Sequence, residues 1–259
     1  MKKKILGISI ILMLVAMLVL LTGCGEQKQN VLESEKDAKN ESKEVFYGCK
    51  AIDGNGTNVG DVITLAGEEF YVISNDGTNI KVLAKYNLYV GGYRDKENRN
   101  QINEYSEGEN TGIQNSKMIG GGNEEERIDG ITQFSDSQTH GKTDGDYEGS
   151  IAEKYVNDYL NYLIEKAKLD SKNVSATLIT VDELESLGCS KTDGNCSNAP
   201  EWVYSTSYWT KSKKVYNGKE SEGTLWVISR NGKLQEAPNI ANYLGVRPVI
   251  TIPVSVLEK

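Results

Sequence analysis

Apolar and polar positions alternate along this chain in three distinct ways. Residues 5–21 form one apolar run, broken only by Gly7 and Ser9 and preceded by Lys2-Lys3-Lys4. Residues 25–45 are the reverse: Glu, Lys, Gln, Asn and Ser dominate, and Val31, Leu32, Ala38 and Val45 are the only apolar members. Such a stretch cannot bury enough surface to offset the entropy of ordering, so it predicts a tether. From Tyr47 onward, short apolar runs alternate with turn residues. Val62-Ile63-Thr64-Leu65, a Gly67-Glu68-Glu69 turn and Phe70-Tyr71-Val72-Ile73 predict a hairpin. Asn75-Asp76-Gly77 then leads to another strand, Ile80 to Ala84, and such turns between β-branched runs signal antiparallel pairing. Residues 91–130 lose periodicity and become rich in Gly, Asn and Glu, which predicts a long, partly disordered loop. A short strand at Ile131-Thr132-Gln133-Phe134-Ser135 follows it.

Two helices are marked by their starts. Ser150 with Glu153 forms one capping box, followed by Ile151, Tyr155, Tyr159 and Leu163 at helical spacing; Thr180 with Glu183 forms another, with Gly188 as its stop. Ala176 to Ile179 between them is a strand or an extended lead-in. Thr224 to Ile228, an Asn231-Gly232 turn and Gly245 to Val254 return the pattern to β. Strands, two helices, then strands predict an α+β domain, mostly antiparallel.

A positive start, an apolar centre and small residues before a cut site describe a secretory signal. Here the small residues stand directly before a cysteine. Leu21-Thr22-Gly23-Cys24 resembles the bacterial lipobox. That resemblance implies diacylglycerol on the Cys24 sulfur, cleavage between Gly23 and Cys24, and acylation of the new amine. Two or three acyl chains hold a protein on a membrane stably. The alternative is an uncleaved anchor, since 17 residues reach the lower limit for a spanning helix. Either reading puts the rest of the chain outside the cytoplasm. The expected organisation is a signal at 1–23, a tether at 24–45 and one domain at 46–259.

Cleavage after Gly23 leaves 26 basic against 37 acidic side chains, a net charge of −11. Nucleic acid and anionic lipid are held through Lys and Arg, so neither is an expected partner of the domain. Three thiols remain beside Cys24. Cys189 and Cys196 flank a Ser-Lys-Thr-Asp-Gly-Asn loop and can form a disulfide, which outside the cytoplasm is the favoured state. Closing that loop contributes roughly 2.5 kcal/mol from chain entropy. A closed zinc site wants four Cys or His ligands, and the only histidine, His140, lies in a remote polar stretch. Cys49 is left over, buried and inert or an alternative partner. No cofactor is expected.

The last third carries a wider resemblance. Trp202-Val203-Tyr204-Ser205-Thr206-Ser207-Tyr208-Trp209-Thr210, then Leu225-Trp226-Val227-Ile228 with Asn231-Gly232, then Gly245-Val246-Arg247-Pro248-Val249-Ile250 stand in that order. This resembles an uncharacterised domain of Gram-positive surface proteins, marked by Tyr-Trp before Ser or Thr and by a closing Gly-Val-Arg-Pro. Its helix leading to a Glu-Leu segment is matched by Glu183-Leu184. That family is similar, distantly, to the C-type-lectin-like fold of formylglycine-generating enzymes and some phage receptor-binding proteins, which implies a lectin-like α+β fold here. Neither activity follows. The active-site cysteine pair of the generating enzymes has no counterpart near residues 224–252, and the Glu-Pro-Asn and Trp-Asn-Asp calcium motifs of sugar-binding lectins are absent.

Trp202, Tyr204, Tyr208, Trp209, Tyr216 and Trp226 concentrate aromatic surface in one short stretch. One reading is a stacking platform for sugar or peptide, with Tyr208, Trp209 and Trp202 as its candidate ligand surface. The other, which weighs more, is a packed core with indole N–H groups satisfied internally. Arg247 is expected in a buried ion pair. Asp53-Gly54-Asn55-Gly56-Thr57-Asn58 starts like a calcium loop but lacks the later Gly and Glu, and Asp144-Gly145-Asp146 with Glu148 reads as a solvated turn. No nucleophile elbow occurs and a lone histidine is a poor general base, so no catalytic residue is assigned. The expectation is a non-catalytic, membrane-anchored binding module for an extracellular glycan, peptide or protein. An envelope enzyme with carboxylate chemistry and a transporter's solute-binding lipoprotein are the alternatives, the second disfavoured by the meanders.

Overall fold

The computed structural model describes residues 49–51, 56–94, 102–104, 112–114, 130–135 and 145–257. The signal, Cys24, the tether and His140 lie outside the described residues, as do Asp53 and Asp144. The body of the chain, Phe46–Lys259, forms one compact unit.

Its main feature is a six-stranded sheet built from β1 (Cys49–Ala51), β2 (Val62–Leu65), β3 (Glu68–Asn75), β4 (Asn79–Ala84), β7 (Ser175–Leu178) and β11 (Pro248–Pro253). Its order is β1-β2-β3-β4-β11-β7, and every neighbouring pair is antiparallel. The expected hairpin is present, but its turn falls at Ala66-Gly67, with φ of 56° and 80°. Two consecutive left-handed residues match the twist of a two-residue hairpin, so Glu68 and Glu69 belong to β3 and not to the turn.

A second sheet, in the order β10-β9-β8, joins β8 (Tyr208–Tyr216), β9 (Lys219–Ser229) and β10 (Lys233–Pro238). Inside the long 91–130 stretch, β5 (Gly92–Arg94) pairs with β6 (Ile102–Glu104), so the described part of it includes a hairpin. Ile131 and Thr132 form single bridges, to Gly92 and Leu244, rather than a strand.

Helix α1 (Ile151–Ala167) buries Ala152, Val156, Tyr159, Leu163 and Ala167, a stripe with steps of three and four. Ser150 caps it by accepting from the Glu153 N–H, while the Glu153 carboxylate reaches Gly149 N–H instead of closing the box on Ser150. The second box is complete around α2 (Val181–Ser186): Thr180 Oγ1 accepts from Glu183 N–H at 3.1 Å, and Glu183 accepts from Thr180 N–H at 2.8 Å.

Two apolar clusters result. Phe70, Val72, Ile80, Val82, Ile250 and Ile252 pack with α1. Alternation then sends Leu83 and Val249 into the other cluster, with Ile73, α2, Val203 and both bridged cysteines. The second sheet serves both: Trp209, Leu225 and Val227 join the first cluster, and Tyr208, Trp226 and Ile228 the second. The domain is therefore α+β and mostly antiparallel, with two α-helices among the described residues.

Candidate functional site

The aromatic stretch resolves residue by residue. Tyr208 and Trp209 are both fully buried, so they are core and not ligand surface. Adjacent strand residues point to opposite faces, and here each face is covered. The Trp209 indole donates to Thr132 O at 2.9 Å and meets Phe134 edge-on at 5.5 Å. The Tyr208 hydroxyl donates to Val203 O at 2.6 Å, and burial pushes its pKa up to about 12 against the opposing pull of Arg247. Trp202 is half-buried and stacks on Tyr71 at 4.6 Å, with 13° between the rings.

Arg247 is buried as expected, but its partners are not a carboxylate. Its guanidinium donates to the carbonyls of Ala84 (2.7 Å), Val203 (3.1 Å) and Lys85 (3.2 Å) and lies 5.1 Å from the Tyr208 ring centroid. Burial lowers its pKa from the usual arginine value. It joins the end of β4 to the 3-10 turn at Glu201–Tyr204, a structural task.

Cys189 and Cys196 form a disulfide. The loop it closes lies on β10: Cys196 N–H donates to Gly232 O, and Leu234 N–H to Gly194 O. The backbone of Cys49 pairs with Leu65 at the edge of the main sheet.

An open cleft of about 380 Å³ lies where the disulfide loop, the start of α2, the β8–β9 hairpin and the segment before α1 converge. Trp226 and Tyr147 supply its apolar wall. The Tyr147 hydroxyl is buried beside that of Thr177, neither in a hydrogen bond of normal geometry, and burial drives the Tyr147 pKa upward. The rim is charged. Lys213 is ion-paired with Asp146, which takes that carboxylate out of any cation loop. The Lys214 ammonium sits 3.5 Å from the Trp226 ring centroid. Lys191, Lys211, Asp182 and Glu220 also line the cleft, and among the described residues no ion pair joins them to anything. A second hollow, of about 590 Å³ beside Asn79 and Pro253, has Lys172 as its one charged lining residue and no aromatic wall.

The cleft lysines carry no motif of their own in the sequence. Spacing is their one signal: Lys211 and Lys213 stand two apart in a strand directly after Tyr208-Trp209-Thr210, and period two places them on one face. Away from the cleft, Glu68 forms a polar knot. It accepts from Gln114 N–H at 2.8 Å and from the Tyr159 hydroxyl at 3.3 Å, and burial raises its pKa.

Comparison with models of protein families, with curated proteins and with solved structures finds no match to the chain.

Proposed function

We propose that this chain is a lipid-anchored, extracytoplasmic binding module, lectin-like in fold and non-catalytic, which contacts its ligand through the cleft between α2, the disulfide loop and the β8–β9 hairpin. The observation that carries the binding half is the set of charged side chains, Lys191, Lys211, Asp182 and Glu220, that line this cleft and make no ion pair among the described residues. Concave sites with a few polar groups supplied by separate segments are where proteins take small ligands. The burial of Tyr208 and Trp209 argues for the cleft over the aromatic stretch. The lectin-like assignment rests on the Gly245-Val246-Arg247-Pro248 signature, whose strand lies between β4 and β7. The anchoring half rests on Leu21-Thr22-Gly23-Cys24 and the tether behind it.

Two measurements test the proposal. Intact mass of the protein from its native envelope should show loss of residues 1–23 and a diacylglyceryl group on Cys24, and Cys24→Ser should release it from the membrane fraction. The full chain should be retained on an array of envelope glycans and peptides without turning any of them over. Turnover abolished by a single Asp or Glu substitution would replace this reading with an enzyme.

A further inference from the structure

Resting on the cleft reading above, we infer that its ligand is a short peptide carrying both a free ammonium and a free carboxylate. The cleft offers two cations, Lys191 and Lys211, and two anions, Asp182 and Glu220, that make no ion pair among the described residues. They come from four different segments: the disulfide loop, β8, α2 and β9. The count balances, so the cleft has no net preference for one sign of charge. Desolvating charges is unfavourable unless each gains a partner. A neutral sugar would cover all four without supplying an opposite charge. A polyanion would satisfy the lysines and repel Asp182 and Glu220, and a polycation the reverse. A ligand with one charge of each sign offers its carboxylate to the two lysines and its ammonium to Asp182 and Glu220.

Size and wall agree with this. About 380 Å³ lies at the lower end of small-ligand sites and suits two or three residues. The Thr180 hydroxyl donates to Glu183 and the Ser212 oxygen accepts from the Val181 N–H, which leaves the charged groups, with the Ser212 O–H, as the main recognition elements. Trp226 is 5% exposed with Lys214 over its ring, so its face is not open for a sugar to stack on.

Calorimetric titration of the full chain in detergent micelles, with three probes, tests the inference. Tri-alanine should bind, and N-acetyl-tri-alanine amide, which lacks both charges, should bind at least tenfold more weakly. Lys211→Gln and Glu220→Gln should each weaken tri-alanine at least fivefold while leaving the unfolding midpoint unchanged. Chitotriose, the third probe, should give no heat. Equal binding of the blocked peptide overturns the inference, as does tri-alanine binding that neither substitution alters. Chitotriose binding weakened by the same substitutions would keep the cleft as the site and remove the peptide. No binding of any probe would remove both.

Discussion

Arg247 and Tyr208 converge on one carbonyl: the guanidinium of Arg247 and the hydroxyl of Tyr208 both donate to Val203 O, at 3.1 and 2.6 Å. Two donors on one acceptor, with the ring 5.1 Å from the guanidinium carbon, tie the start of β11, β8 and the Glu201–Tyr204 turn together in a buried interior. Arg247→Met would leave the Ala84 and Lys85 carbonyls without this donor, while Val203 O keeps the Tyr208 hydroxyl. At about 1–3 kcal/mol for each buried group left unsatisfied, the loss should be about 2 kcal/mol or more. Urea unfolding checks it, and Arg247→Lys should recover little, because an ammonium lacks the planar fork.

Gly245 is held to glycine by a neighbour. A Cβ there would stand 1.9 Å from Asn87 Nδ2 and 2.9 Å from Gly130 O. Asn87 cannot retreat freely, since its amide donates to Thr206 Oγ1 at 2.8 Å and Ser207 O at 3.1 Å. Gly245→Ala should cost about 1–3 kcal/mol, the usual range for overpacking. Combined with Asn87→Gly it should cost less than the sum of the two single changes, and a double-mutant cycle measures that coupling.

The disulfide should be silent to reagents in the folded protein. Cys189 and Cys196 are 6% and 0% exposed, so mild reductant followed by an alkylating agent should label neither until denaturant is added. Replacing both by Ser should lower stability by roughly 2.5 kcal/mol, from chain entropy.

Two carboxylates give stability opposite dependences on pH. Burial raises the Glu68 pKa above its unfolded value, so its contribution is fully present below the ordinary carboxylate range and is lost as pH rises through the folded pKa. Glu183 runs the other way. Lys81, at 2.6 Å, and the Thr180 cap hold its pKa down despite burial, so its contribution is present above the ordinary range and is lost as pH falls through the folded value. Unfolding followed from pH 3 to 8 should show Glu68→Gln no less stable than the parent at pH 8, with any advantage gone at low pH. Glu183→Gln should be less stable at pH 8, and that deficit should shrink as the pH falls.

The elements with local signatures were legible in the sequence. Thr180 with Glu183 predicted α2, the apolar stripe predicted α1, and Asn231-Gly232 predicted the β9–β10 turn, because caps and tight turns are decided by a few neighbouring residues. The Cys189–Cys196 bridge was legible for the same reason. Asn217-Gly218, with φ of 51° and 78°, is an equally local signal: it makes the β8–β9 turn and sets Glu220 opposite Val215 just beyond it. Burial was a different matter. Whether Tyr208 and Trp209 face solvent depends on what packs on each face of β8, and those partners, Val203 and Thr132 among them, are set by chain topology. Arg247 shows the same limit. Its burial was expected, but as half of an ion pair, whereas its carbonyl partners lie 44 and more residues away in sequence. The cleft was out of reach too, since four separate segments build it.

The contact surface is tested most directly by probing one array of envelope peptides and glycans with three forms of the full chain: unmodified, Lys211→Glu and Trp202→Ala, each first shown to be folded by circular dichroism. The cleft reading predicts that a ligand retained by the unmodified chain is lost by Lys211→Glu and kept by Trp202→Ala. Retention by Lys211→Glu together with loss by Trp202→Ala would contradict it and move the contact surface to the Tyr71–Trp202 stack.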